Sequence, residues 1–399
     1  MKKWVKVIVL VVLLILAMFI ARNTANINTN NVNVDNTIKN NESKKEENDE
    51  TKEKEYSEDI EVVATLEDTI TNNSAWCGTF QLVWNDMQDE VVKQDIVFQK
   101  QIELVENLNK QTFKEEDISE EYYYKTYGLK TLDLKEKIEQ GIKEKFDQNS
   151  DILDLLDWNG VPKDDSGYTT SHKEYLFYVM LYREFNFENE FEELEPSTFK
   201  GTKEEYEDIK FFGLELNGNY KARKQINVLY YNSEEDFAVK LNTKEGDEVI
   251  LVKGDNGDTF DDIYNNALLK ENSYDKLKTL FTENDTLKVP NLDIDVLKKY
   301  EELMENGDGT KLFYAADGDV CSIKNAIQTI KFTLDKTGGK IKSEAVIEMT
   351  KDSAMIMDPE EVEYRYFEFD SEFTIFLREE GKDKPYFAAN IDDITLFQE

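Results

Sequence analysis

The chain has 399 residues and sets 48 Lys and Arg against 85 Asp and Glu, a formal charge of −37. So negative a surface repels phosphate backbones, and no stretch after the N-terminus gathers a basic patch, which excludes nucleic-acid binding. With 23 Phe, 20 Tyr and 4 Trp the chain still has the core-forming residues that an acidic disordered protein lacks.

In chain order the first predicted element is apolar. Residues 4–21 carry only Lys6 as a charge, and 18 helical residues span roughly 27 Å, close to the hydrocarbon thickness of a bilayer. Lys2, Lys3 and Lys6 precede or open the stretch and Arg22 follows it, so residues 1–3 are expected in the cytoplasm and the bulk of the chain outside. A cleaved signal peptide is the rival reading, disfavoured because Phe19-Ile20-Ala21 is a poor cleavage site. Residues 22–59, dominated by Asn, Thr, Lys and Glu, read as a disordered tether that cannot offset its ordering entropy.

Residues 60–399 show neither a second low-complexity linker nor an internal repeat and are expected to form one domain. Val91, Val92, Ile96, Ile102, Val105 and Leu108, then Leu132, Leu134, Ile138 and Ile142, recur at helical spacing. Later the pattern changes. Phe237, Val239 and Leu241 alternate, meet the turn Lys244-Glu245-Gly246-Asp247, and resume as Val249-Ile250-Leu251-Val252, a hairpin. Strand signals dominate after Ile323. Helices first and antiparallel strands later predict an α+β fold rather than a parallel α/β sheet.

Chemistry-bearing motifs are sparse. His172 is the only histidine and follows a Ser/Thr-rich stretch that reads as a surface loop. There is no Gly-x-Ser-x-Gly elbow, no phosphate-cradling glycine loop, and too few His and Cys for a structural zinc site. Asp255-Asn256-Gly257-Asp258 and Asp317-Gly318-Asp319 fail the calcium-loop spacing and read as tight turns. No metal, nucleotide or organic cofactor is expected. A pair of carboxylates suited to hydrolysis carries no specificity among 85 acids. Cys77 and Cys321 would lie in an oxidising compartment under the expected topology, which leaves a disulfide between them open.

The end of the chain resembles a serpin. Phe367-Glu368-Phe369-Asp370-Ser371-Glu372-Phe373-Thr374-Ile375-Phe376-Leu377-Arg378 has the spacing of the family's Phe-x-Ala-Asp-His-Pro-Phe segment, and Pro385-Tyr386-Phe387-Ala388-Ala389-Asn390-Ile391 falls where the family has Pro-Leu-Phe-Met-Gly. Upstream, Tyr182 with Phe187 and Phe191, Leu287-Lys288-Val289-Pro290-Asn291-Leu292 followed by Gly307 and Phe313, and Asn73 with Cys77-Gly78 resemble further family segments in the same order. The resemblance implies a helical N-terminal half, a large central antiparallel sheet with smaller sheets, and a reactive loop here spanning 338–366. It further implies inhibition of a serine or cysteine protease, the cleaved loop entering the sheet as a new strand and dragging the acylated protease with it.

In this chain the implied hinge is Gly338, Gly339, Ile341, Ser343 and Ala345. Lys342 and Glu344 stand where the family has alanines, yet with period two they share a face with Lys340 and Glu348 while Gly339, Ile341, Ser343, Ala345, Ile347 and Met349 share the other. A one-residue slip would bury charge. Counting from Gly338 puts the reactive bond near Asp352-Ser353, with Met355 and Met357 competing because the loop is long. The expected function is a membrane-anchored, outward-facing, non-enzymatic protease inhibitor. The rivals are a non-inhibitory binding or envelope scaffold with the same fold, and a permanent strand followed by a long loop.

Overall fold

The computed structural model describes residues 59–169, 172–254, 257–340 and 364–398. The expected stub, anchor and all but the last residue of the tether lie outside these, as do Ile341, Ser343, Ala345, Asp352, Ser353, Met355 and Met357. Among the described residues no helix is long and apolar enough to cross a membrane.

The fold is α+β. The chain opens with strands β1 (Glu61–Val62) and β2 (Ser74–Cys77), helix α1 (Thr79–Asp86) and its π-helical continuation Met87–Val92, and helix α2 (Glu103–Asn109). Strand β3 (Tyr123–Leu129), helix α3 (Leu132–Phe146), and strands β4 (Tyr175–Leu181), β5 (Glu184–Asn186), β6 (Glu192–Glu193), β7 (Ser197–Lys200), β8 (Glu205–Ile209) and β9 (Phe211–Leu214) follow. After the short helix α4 (Tyr220–Arg223) come β10 (Ile226–Ser233), β11 (Asp236–Asn242), β12 (Asp247–Lys253) and helix α5 (Phe260–Ser273). The last part is strand-rich: β13 (Asp285–Pro290), β14 (Leu292–Lys299), β15 (Phe313–Tyr314), β16 (Val320–Cys321), β17 (Ile327–Asp335), β18 (Gly338–Lys340), β19 (Arg365–Glu368), β20 (Phe373–Glu379) and β21 (Pro385–Ile391).

The largest sheet has seven strands in the order β1-β2-β21-β20-β12-β11-β10, antiparallel except for β1 with β2. Its interior strands β12 and β21 are buried at every position, so both faces are covered, and each carries an unbroken apolar stretch, Val249 to Val252 and Pro385 to Ala389. A four-stranded sheet, β19-β13-β9-β6, packs alongside. Its outer strand opens with Arg365, whose guanidinium donates to both Asp285 oxygens at 2.9 and 2.7 Å and to the carbonyls of Lys278 and Leu280 at 2.7 Å. A second four-stranded sheet, β14-β17-β18-β5, and the pair β3-β4 complete the framework of the site.

Helix α3 confirms the Leu132–Ile142 periodicity. Thr131 caps it, accepting the Leu134 N–H at 3.0 Å, and Leu134, Ile138 and Ile142 bury against Tyr178 of β4. The Val91–Leu108 spacing does not make one helix. The π-helical turn ends at Lys93 with φ 59°, and the chain stays irregular until α2 begins at Glu103. After Leu292 strand β14 runs to Lys299, and Glu305 then accepts the N–H groups of Gly307, Gly309 and Lys311 in a loop. The Asp317-Gly318-Asp319 turn forms as expected between β15 and β16, with Gly318 at φ 93°. His172 is an exposed loop residue, 3.7 Å from Glu174.

Candidate functional site

A single geometric irregularity defines the site. Strand β17 pairs along its length with β14 on one side. On the other side only its last three residues are paired, Thr333 with Lys340, Leu334 with Gly339 and Asp335 with Gly338. The far edge of β18 is paired with β5, Gly338 with Asn186, Gly339 with Phe185 and Lys340 with Glu184. The chain of β5 continues backwards through Tyr182 and Arg183 into β4, which is paired with β3 on its outer side. Below β18, therefore, the Ile327–Phe332 edge and the Tyr175–Leu181 edge face each other across the width of one strand, and no described strand lies between them. The result is a groove of about 520 Å³. Such edges present rows of unpaired N–H and C=O groups, a template for a further strand.

The floor is formed by Cys77 at the end of β2 and by Thr79, Phe80 and Val83 of α1; the outer rim is Gln148–Ile152, the segment leaving α3. Gln328 joins wall to floor. Its Nε2 donates to the Cys77 carbonyl and to Thr79 Oγ1, each at 3.0 Å, and its Oε1 accepts from the Tyr300 hydroxyl at 2.7 Å, so a buried amide in a strand is largely satisfied. The rim is tied to β4 by the Tyr178 hydroxyl–Ser150 Oγ bond at 3.2 Å and to Tyr182, just past the end of β4, by the Gln148 Nε2–Tyr182 hydroxyl bond at 3.1 Å. It is tied to β17 by Asp151 and Lys331, 2.5 Å apart. The rim therefore crosses the groove as a strap.

Two glycines let β18 enter. A Cβ on Gly338 (φ 152°) would stand 2.1 Å from the Phe185 carbonyl oxygen, and one on Gly339 would stand 2.4 Å from the Phe185 ring. Gly338→Ala is accordingly expected to expel β18 at a cost of about 2 kcal/mol or more, read as a lowered denaturation midpoint. Gly160→Ala, at φ 73° but with no atom within 4 Å, serves as the control and should cost about 1 kcal/mol.

Beneath the junction of β4 and β5 lies a buried ionic cluster. Arg183 donates from Nε to both Asp247 oxygens at 2.5 and 2.6 Å and from Nη2 to the Glu245 carbonyl at 2.9 Å, and its guanidinium lies 3.4 Å from the centre of the Tyr122 ring. The Tyr386 hydroxyl donates to Asp247 at 2.8 Å. Burial pushes the Asp247 carboxyl up to about 6, against the pull of Arg183 and Tyr386. For Arg183 burial opposes the charge, yet the bonds and charge of Asp247 carry its pKa above the ordinary value.

Of the residues singled out from sequence, Gly338 and Gly339 sit at the head of the groove and the other hinge and reactive-bond positions lie outside the described residues. Cys77 and Cys321 are not joined to each other in the structure. Cys77 is buried in the groove floor, where burial raises its pKa; Cys321 stands in the short β15-β16 hairpin. Tyr182 belongs to the groove wall, whereas Phe187 and Phe191 form a buried edge-to-face pair 4.7 Å apart behind β5. Local spacing does not single out Gln328, Asp151, Lys331 or Arg183, because Gln328 meets Cys77, Asp151 meets Lys331 and Arg183 meets Asp247 across 251, 180 and 64 residues of sequence.

No protein-family model matches the chain, and no curated protein matches it. Among solved structures it is similar to human thyroxine-binding globulin (11% identity, covering 78% of this chain and 97% of that one, TM-score 0.36). It is likewise similar to Serpin48 of the insect Tenebrio molitor (13%, 65% and 64%, 0.34) and to Manduca sexta serine protease inhibitor (serpin) 12 (14%, 65% and 65%, 0.38). The chain spans just under two thirds of the length of the two insect proteins.

Proposed function

We propose that the groove receives residues 341–349 as an added strand, and that the protein is a serpin-like inhibitor whose 338–366 loop is cut by a serine or cysteine protease. The carrying observation is β18: three residues already lie between β17 and β5, paired on both sides, at the head of a gap whose walls continue in the same directions.

Extending that register sets residue 341 between Phe332 and Arg183, 343 between Ile330 and Leu181, and 345 between Gln328 and Val179. On β17 those partners are the buried positions, and Lys331 and Thr333 are the exposed ones. Ile341, Ser343 and Ala345 would thus enter the core face, and Lys342 and Glu344 the outer face, with no charge buried. The bond cut would lie near Asp352-Ser353 or at Met355 or Met357. The apolar 4–21 segment, uncleaved, would hold the domain at the outer surface of a membrane.

Incubating the full chain with a panel of serine and cysteine proteases tests this reading. A complex that survives SDS, in which the protease is joined to the segment ending at the cut, is the expected result. Cleavage by every protease without such a complex overturns inhibition. The strap across the groove favours a second reading, a binding or scaffold module that never opens, and that reading predicts the negative outcome.

A further inference from the structure

The outer face of the groove is charged in a definite order. Glu184 stands at its head and already holds Lys340 at 2.7 Å. Next comes Asp151 of the strap, 2.5 Å from Lys331 of β17. Lys331 is also opposite Asp295 of β14 in the sheet register. Further down, the wall positions Thr329 and Met180 carry no charge. Along the outward side the walls thus offer acid, acid and base, through Glu184, Asp151 and Lys331.

From the last residue of β18 onward the chain carries the complementary series at alternate positions, Lys340, Lys342 and Glu344. In the extended register Lys342 falls between Tyr182 and Lys331, and Glu344 between Met180 and Thr329, diagonal to Lys331. Two lysines directly opposite each other repel unless an acid stands between them, and Asp151 is the acid in reach of that point. Once Asp151 turns to Lys342, Lys331 keeps Asp295 beside it and gains Glu344.

We propose that Asp151 and Lys331 form a latch that the entering strand opens by exchange, Lys342 taking Asp151 and Glu344 taking Lys331. This deepens the reading above and rests on it. The groove then selects its occupant by charge as well as by shape. Residues 341–349 fit in one register, and a one-residue slip sets Lys342 and Glu344 toward the core. The same exchange explains why lysine and glutamate replace the small residues that the serpin resemblance would have placed here.

The test uses the intact full chain and a synthetic nine-residue peptide with the sequence of residues 341–349, with binding read from the rise in melting midpoint against peptide concentration. Asp151→Lys is expected to weaken the unaltered peptide about fivefold, what about 1 kcal/mol amounts to at 25 °C. A peptide carrying Lys342→Glu should bind the parent protein about fivefold more weakly and regain that loss on the Asp151→Lys protein. Unliganded melts of parent and variant check that the exposed substitution leaves the fold intact. Binding of both peptides to both proteins with equal strength overturns the charge exchange and leaves the groove reading standing. Failure of the parent to take up the unaltered peptide, together with no thermal gain on cutting its own loop, overturns both.

Discussion

Cutting the chain once between residues 350 and 363 is expected to raise its melting midpoint by about 5–10 °C. Between β4 and β17 no described strand pairs with either facing edge, and a strand entering there converts both rows of N–H and C=O groups to hydrogen-bonded ladders. Ile341, Ile347 and Met349 would bring roughly 2 kcal/mol each from leaving water and the ladder hydrogen bonds about 1 kcal/mol each, against about 1–2 kcal/mol per residue for ordering the nine. A net gain of about 5 kcal/mol moves the midpoint of a domain of about 340 residues by roughly 7 °C. Calorimetry of cut and uncut protein at one concentration reads the effect. An unchanged midpoint would mean that the groove stays empty and the protein is a rigid scaffold.

The second large effect concerns Arg183. Arg183→Met is expected to cost about 3–5 kcal/mol, because it leaves the Asp247 carboxylate buried without its cation while the Tyr386 hydroxyl alone still serves it. Replacing both partners, Arg183→Met with Asp247→Leu, should recover most of that loss, since no buried charge is then left unpaired.

The acid also imposes a pH dependence of known sign. The folded-state pKa of Asp247, about 6, lies above its ordinary value of 3.8, so the folded protein binds the extra proton between them. Stability from this group is complete below about pH 4 and is lost as pH rises through 6. Measured against Asp247→Asn, which cannot titrate, the parent should lose about 1 kcal/mol of unfolding free energy between pH 5 and pH 7. A difference that grows with pH instead would show that the pairing with Arg183 outweighs burial.

Much of the scaffold was legible. The Phe237–Val252 hairpin and the strands from Phe373 to Ile391 announce themselves by alternation or unbroken apolarity around glycine and acidic turns, and all lie in the seven-stranded sheet. The twin glycines marked the head of the groove because close backbone approach demands them. The two walls were harder. In β4 aromatic and aliphatic residues follow one another without polar interruption, and in β3 Lys125 and Thr126 sit side by side rather than alternating, since one face packs on the core and part of the other is covered by α3, so neither period stands out. Nor does local spacing reveal the strap, because Asp151 meets Lys331 only after the sheet has formed, 180 residues apart. The stretch from Val91 to Leu108 misled for a related reason: its apolar side chains are indeed buried together, but by a turn and a short helix that reach the same cluster from different directions.

The placement of the last three strands settles what a broken backbone would look like on the bench. β19 is clamped by Arg365, and β20 and β21 lie inside the largest sheet, flanked by β12 and β2. A nick upstream of them therefore releases no fragment: the carboxy-terminal piece stays bolted into the body like a keystone, so the molecule elutes as one species in native buffer and falls into two only in detergent.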